Sequence, residues 1–263
     1  MSVFDEDEIE RLRQVYNKEH PRETPIPKQS AEDTWGTLQD RFREKCKTGR
    51  AECIVSSLLR RPKAPKEWSL NRYEWLSSDD IDAVEHNYTE VFADYHYIGT
   101  VPIDFDLKSE TQKCLVSALC SMKLKSLYEK GKQQFGIVIN TDPHDGPGQH
   151  WVAVFCDIRP ELEFPRVTYF DSYASQPEKE IKVLMKRWKD QWDSTGIHSK
   201  PMKMTYNKTR HQYKDSECGM YCLYFHYACL MNLPMNQSMP DEVINLFRNL
   251  LFTMPKKESS AKE

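Results

Sequence analysis

The sequence predicts an α+β domain: a central sheet of short, buried strands flanked by helices, preceded by a helical arm. Two observations carry that expectation. Three apolar runs, FGIVIN (135–140), HWVAVFCDI (150–158) and VTYFDSY (167–173), have the length and continuity of strands covered on both faces. The segments before and after them space their apolar residues at helical intervals instead. Strands bracketed by helices indicate α+β. The chain shows no internal repeat.

Taken in order, residues 5–19 form an amphipathic helix with Ile9, Leu12 and Tyr16 on one face, and Pro21, Pro25 and Pro27 break the chain after it. Ser30 and Asp33 read as a capping box for a second helix, whose stripe is Trp35, Leu38, Phe42 and Cys46. A third helix covers 51–60. The basic, proline-containing stretch RRPKAPKEW (60–68) reads as a hinge, so the boundary is placed there: a helical N-terminal arm over 1–60, the main domain over 61–263. In that domain SSDDIDAVEHNYTEVF is helical, with Ser77 and Asp80 as its cap, and YHYIG and VPIDF are short and extended. Residues 111–130 are expected to be helical through Cys114, Leu115, Ala118 and Leu119. A helix from Pro177 buries Ile181, Leu184, Met185, Trp188 and Trp192; proline suits a first turn. KMTY (203–206) is a fourth strand, helices follow at 218–231 and 241–252, and a charged tail closes the chain.

Composition narrows the function. The 263 residues include 37 basic and 40 acidic side chains, a net charge of −3, which gives no support to general nucleic-acid binding. No apolar run reaches about 18 residues, so no membrane partner is expected. The acidic start MSVFDEDEIERLRQ is not expected to be a signal peptide, and the sequons at Asn87, Asn207 and Asn236 read as chance matches. The eight cysteines are therefore expected to be reduced thiols in cytosol or nucleus, not a disulfide framework.

Three of those cysteines, Cys218, Cys222 and Cys229, fall in KDSECGMYCLYFHYACL (214–230) with His226 among them. The segment admits a metal site, an inert apolar helix, or a helix with a reactive thiol at its tip. Metal is disfavoured, because one helix rarely supplies a whole tetrahedral set and the chain has no CxxC pair. Cys222 and Cys229 read as small core residues. Cys218 differs. With Asp215 and Ser216 as cap-type residues, it enters the first turn of a helix, whose partial positive charge and free N–H groups favour a thiolate. Gly219 beside it lets a substrate approach the backbone closely. A thiol nucleophile also needs a base, an orienting group and oxyanion donors. His150 stands at the mouth of a strand, Asp171 at the end of the next, and Gln212 on the loop that feeds the helix. If those two strands pair antiparallel, His150 and Asp171 meet as base and orienting group, and Gln212 can donate to an oxyanion beside the Cys218 N–H.

GQHWVAVFCD, YFDSY and RHQYKDSECGMYCLYF resemble the three signature blocks of the adenain/SUMO-protease superfamily of cysteine peptidases. EWLSSDDIDAVEHNY, VPIDF and FGIVINTDPHDGPGQHW are similar to its branch in large nucleocytoplasmic DNA viruses, so the likeness runs from about 61 to 252. The resemblance implies a papain-like, adenain-type core with a central mixed sheet, and a triad of Cys218 as nucleophile, His150 as base and Asp171 as orienting group. It implies Gln212 in the oxyanion hole and Trp151 lining a narrow substrate channel that admits Gly-Gly. The third member is the least critical, since Asn can stand there in the viral branch. The implied activity is cleavage of viral polyprotein or core precursors after Gly-Gly-type sites during virion maturation, in host cytoplasm (viral factory) and virion. The alternative within the fold is removal of SUMO- or ubiquitin-like modifiers from proteins. Either way the partner is a protein substrate and no cofactor is required. Acyl transfer is disfavoured because related acyltransferases generally carry Glu in the third position, and a dead binding module is disfavoured by four intact site residues. His144 and Asp145, in TDPHDGPG (141–148), read as a solvated turn that could also line the groove.

Overall fold

The computed structural model describes residue 4 and residues 6–47, 50–59 and 61–254. The arm holds α1 (Glu6–Glu19), α2 (Ala31–Arg41) and α3 (Ala51–Leu58). The expected faces are the buried ones: Ile9, Leu12 and Tyr16 on α1, Leu38 on α2. Ser30 caps α2, its Oγ accepting from the Asp33 N–H (3.1 Å). The arm's apolar side chains form one cluster with those of α4 (Ser78–Val91) and α8 (Cys218–Leu230). Tyr227 of α8 reaches into the arm, 2.8 Å from the Ser56 hydroxyl and donating to the Glu52 carbonyl (3.1 Å). Arg60, at the expected hinge, and the charged tail beyond 254 lie outside the described residues.

The sheet has the order β1-β2-β3-β4-β5: Tyr95–Pro102, Gln134–Asn140, Trp151–Asp157, Arg166–Phe170 and Lys203–Tyr206. The outer pairs are parallel and the two inner pairings antiparallel. YHYIG and VPIDF, expected as separate extended pieces, contribute to a single strand, β1, with a register irregularity between Tyr97 and Thr100. Gly99, with φ of +131°, supplies the backbone freedom for it. The central strands are buried on both faces because α8 covers one and α7 (Lys179–Asp193) the other. Trp151, Ala153 and Phe155 join the α8 cluster, while Val152, Val154 and Cys156 join that of α7. Alternate side chains of one strand thus serve two cores. The helix α9 (Asp241–Leu251) then packs beside α8. Among the described residues no helix is long and apolar enough to cross a membrane.

Two expectations need correction. Residues 111–130 are not one helix: α5 (Ser117–Ser121) and α6 (Leu124–Tyr128) are short, and Cys114 lies in an extended bridge with Lys108. The cysteines are not all reduced. Cys46 pairs with Cys53 and Cys114 with Cys120, leaving Cys156, Cys218, Cys222 and Cys229 free. Both pairs are close in sequence, seven and six residues apart, with Cα atoms at 5.7 and 6.4 Å. That is bonding range, and the turns that create it leave no signal in cysteine count or compartment. The second disulfide spans the non-helical stretch from Cys114 into α5.

Gly136 of β2 is a fixed point of this packing. A Cβ there would come 1.9 Å from Tyr95 Oη and 2.9 Å from His226 Cε1. Neither ring is free to yield, because Tyr95 donates to Glu85 Oε2 (2.8 Å) and His226 Nδ1 sits 2.7 Å from Glu85 Oε1. Gly136→Ala is expected to destabilise the protein by about 1–3 kcal/mol through overpacking. Chemical denaturation of the two proteins measures it, and equal stability would show that the Tyr95 and His226 rings can move.

Candidate active site

The ends of β1, β2 and β4, the start of β3 and the N-terminus of α8 gather at one edge of the sheet. Pairing of Ala153 with Phe170 in the antiparallel β3–β4 ladder sets His150 and Asp171, each one residue outside its strand, side by side. His150 Nε2 lies 2.7 Å from Asp171 Oδ1. Asp171 is 2% exposed, and its carboxylate also accepts from the N–H groups of Tyr173 and Ser175, both at 3.0 Å. Its backbone is held too: Asn207 exchanges two hydrogen bonds with it, at 2.9 and 2.8 Å. Burial raises the Asp171 carboxyl, but the hydrogen bond and charge of His150 and the two N–H groups outweigh it, leaving the pKa below the ordinary value.

Nδ1 is the imidazole nitrogen that remains for Cys218. Burial lowers the His150 pKa, but Asp171 and then Cys218, by hydrogen bond and charge, raise it to about 9. Cys218 itself is buried, in the first turn of α8. Asp215 and Ser216 do not cap that helix. Glu217 is the capping residue, without a side-chain bond to the helix; its carboxylate accepts from the Ser216 N–H (3.0 Å) and from Asn245 Nδ2 (2.8 Å). The other free thiols are set apart by their surroundings. Burial pushes Cys156, Cys222 and Cys229 up, so they stay protonated, as suits packing residues. His226 is committed to Glu85.

Gln212 is fully buried behind this pair. Its Oε1 accepts from Ser172 Oγ (2.6 Å) and its Nε2 donates to the Lys214 carbonyl (2.7 Å). The same carbonyl accepts from Tyr173 Oη (3.0 Å), and the Tyr173 ring lies over the imidazole, centroids 5.0 Å apart. Trp151 borders a groove of about 560 Å³ that runs to Trp75, Thr100 and the 142–148 loop. Its Nε1 donates to the Leu76 carbonyl (2.9 Å). The close approach at Gly219 is made by Leu76, whose Cβ would lie 3.0 Å from an added Cβ. Gly219 is thus packed under the groove wall and is not open to a substrate. His144 lines the groove and is held by Asp104, Nδ1 to Oδ2 at 2.6 Å, a bond that raises its pKa. Asn207, which reads as a chance sequon, instead holds the Asp171 backbone. Trp75, Leu76 and Tyr173 lie inside family-like blocks, but no local pattern gives any of them a role at the site.

The fold and part of the sequence have known counterparts. Residues 135–262 match the family profile of the Ulp1 protease family, C-terminal catalytic domain. Over that stretch, just under half of the chain, it is similar to a Ulp1-type cysteine peptidase domain. A protein of Acanthamoeba polyphaga mimivirus, named as a candidate thiol protease, is 30% identical over 184 residues, 68% of this chain and 57% of that protein. A cysteine protease of African swine fever virus is 35% identical over 122 residues, 45% of this chain and 43% of the relative. The matched stretches thus span about half the length of these relatives. The crystal structure of the African swine fever virus protease superposes with a TM-score of 0.62 at 21% identity, covering 97% of this chain and 92% of that one. It shares the fold of this chain over nearly its whole length.

The raised His150 pKa has a defined consequence. The folded protein binds this proton more tightly than the unfolded chain, so its contribution to stability is complete below pH 6.5 and is lost as pH rises through about 9. Thermal unfolding from pH 6 to 10 is expected to show a steeper alkaline decline for wild type than for His150→Gln; parallel curves would remove His150 as the titrating group.

Proposed function

We propose that this chain is a cysteine endopeptidase that cuts viral polyprotein or core precursors after Gly-Gly-type sites during virion maturation, in the host cytoplasm and the virion. The observation that carries the reading is the His150–Asp171 pair, at 2.7 Å, beside Cys218, which among the described residues is the free cysteine that begins a helix. Cys218 is the nucleophile, His150 the base, Asp171 its orienting group and Gln212 an oxyanion donor. The Cys218 thiolate attacks the scissile carbonyl carbon. The C–N bond breaks, the amine leaves with the proton of the His150 imidazolium, and a thioester remains. Water then attacks the thioester, His150 takes its proton, and the thiol and carboxylic acid are released. Asp171 holds the Nε2–H throughout, which keeps Nδ1 toward sulfur. Gln212 Nε2 bears a second N–H besides the one given to Lys214, and this is the donor assigned to the oxyanion. The groove between Trp75 and Trp151 takes the acyl side of the substrate; its aromatic walls favour residues with little or no side chain. The helical arm acts as a cap on the catalytic domain.

A second reading keeps the site and changes the substrate to a modifier conjugate. Relatives named SUMO-1 cysteine protease favour it, as does the fold shared with the yeast Ulp1 domain bound to Smt3 (TM-score 0.50, 12% identity, covering 87% of this chain and 96% of that one). Single-turnover cleavage separates the two. A precursor bearing Gly-Gly-X sites should be cut by wild type and not by Cys218→Ala, with a SUMO or ubiquitin fusion left intact. Cleavage of the fusion instead would make the protein a deconjugase. Gln212→Ala is expected to lower kcat about 10²–10³-fold with the fold intact, the cost of one oxyanion donor. Unchanged turnover would take Gln212 out of the mechanism.

A further inference from the structure

The helix α9 buries three polar residues on the same face as the apolar Ile244 and Leu251. Val243, Leu246 and Leu250 are 40%, 63% and 48% exposed, while Asp241, Asn245 and Arg248 are 4%, 7% and 0% exposed. Spacings of four and three residues put these polar groups on one face. Burying polar groups costs free energy unless their hydrogen bonds are made, so their partners explain the arrangement.

Those partners converge on the active site. Asp241 Oδ2 accepts from the N–H groups of Tyr213 and Lys214, both at 3.0 Å, and Oδ1 accepts from Tyr221 Oη of α8 (2.9 Å). The Lys214 carbonyl is the one that holds Gln212 Nε2 and Tyr173 Oη. Asn245 accepts from Arg248 Nε (2.8 Å) and donates to Glu217, the residue before Cys218. Arg248 donates from Nη2 to the Ser216 carbonyl (3.3 Å) and from Nη1 to the Glu74 carbonyl (2.9 Å), its guanidinium stacked 4.6 Å from the Trp68 ring. Ser216 precedes the nucleophile by two residues; Glu74 adjoins Trp75 of the groove wall. We propose that the Asp241–Asn245–Arg248 face of α9 is a positioning device: it locks the loop leading into Cys218 to the segment that carries Trp75, so nucleophile and substrate groove hold one geometry. The proposal rests on the peptidase reading of the site. Burial lowers the Arg248 pKa only to about 10, so it remains a cation at neutral pH. Its rigid fork is what lets one side chain bridge two carbonyls; a lysine keeps the charge and loses the bridge.

Arg248→Lys in the full chain is the test, read by thermal midpoint, by kcat and KM on a Gly-Gly peptide, and by the pH profile of Cys218 alkylation with iodoacetamide. A folded variant is expected to lose about 10²-fold in kcat/KM, split between lower kcat from the Ser216 side and higher KM from the Glu74 side. Its alkylation profile should be displaced, because thiol reactivity follows the local geometry of sulfur and imidazole. Wild-type kinetics with a superimposable profile would overturn the proposal. If the lysine variant does not fold, Asn245→Ala takes its place. That variant takes the acceptor from Arg248 Nε and the donor from Glu217 at once, with about a tenfold loss in kcat/KM expected and no loss overturning the idea. Should wild type cleave no Gly-Gly substrate, the peptidase reading fails by itself. The alkylation profiles then decide the positioning role: displaced supports it, superimposed refutes it.

Discussion

The antiparallel pairing of β3 with β4 is the constraint on which the rest depends. His150 precedes one strand and Asp171 follows the other, so they meet only in the register that pairs Ala153 with Phe170. A slip of one residue would part them and also turn Val152 and Val154 to the wrong core, since side chains alternate across the sheet. The register is therefore held by two apolar clusters at once. The polar pair occupies a place that hydrophobic packing has already fixed.

The α8 helix completes the arrangement from the other direction. It is buried on nearly every side, so it cannot rotate or slide without opening the core. Cys218 sits at the end of the helix that reaches the edge of the sheet where His150 stands. Leu76 fills the space beside Gly219, and its carbonyl accepts from Trp151. The groove wall, α8 and the strand that follows His150 thus share contacts. Loops that would otherwise be mobile are tied by side chains far along the chain: Asn207 holds Asp171, and α9 reaches the stretch from Tyr213 to Ser216. Electrostatics follow from this packing. Asp171, held below its ordinary pKa by three donors, and Cys218 together outweigh burial and raise the His150 pKa to about 9.

Elements with strong local signals are legible in the amino-acid order. The capping pairs Ser30/Asp33 and Ser77/Asp80 start helices where they should, and the apolar runs at 135, 150 and 167 become strands. Weak local signals mislead. Residues 111–130 have helical spacing, yet a disulfide and a turn interrupt them. Of the expected stripe only Leu119 is buried, and Leu115 is 42% exposed, so helical spacing of apolar residues found no core to face. Asp215 and Ser216 have the chemistry of caps, but Glu217 takes the position without a side-chain cap bond, its carboxylate accepting from Asn245 instead.

The sequence by itself determined the composition of the site: one thiol at the start of a buried helix, and a histidine and an aspartate at strand ends. Chemistry of that kind is written in residue types and short spacings, which are properties of the chain before it folds. Tertiary structure alone decided what surrounds them. Trp75 and Trp151 on one groove, Tyr173 over the imidazole, Leu76 against Gly219 and Arg248 between Ser216 and Glu74 are meetings of residues far apart in the chain, up to 174 positions for Arg248 and Glu74. No local pattern encodes such pairs, because they exist only after two cores have closed and fixed which loops face each other.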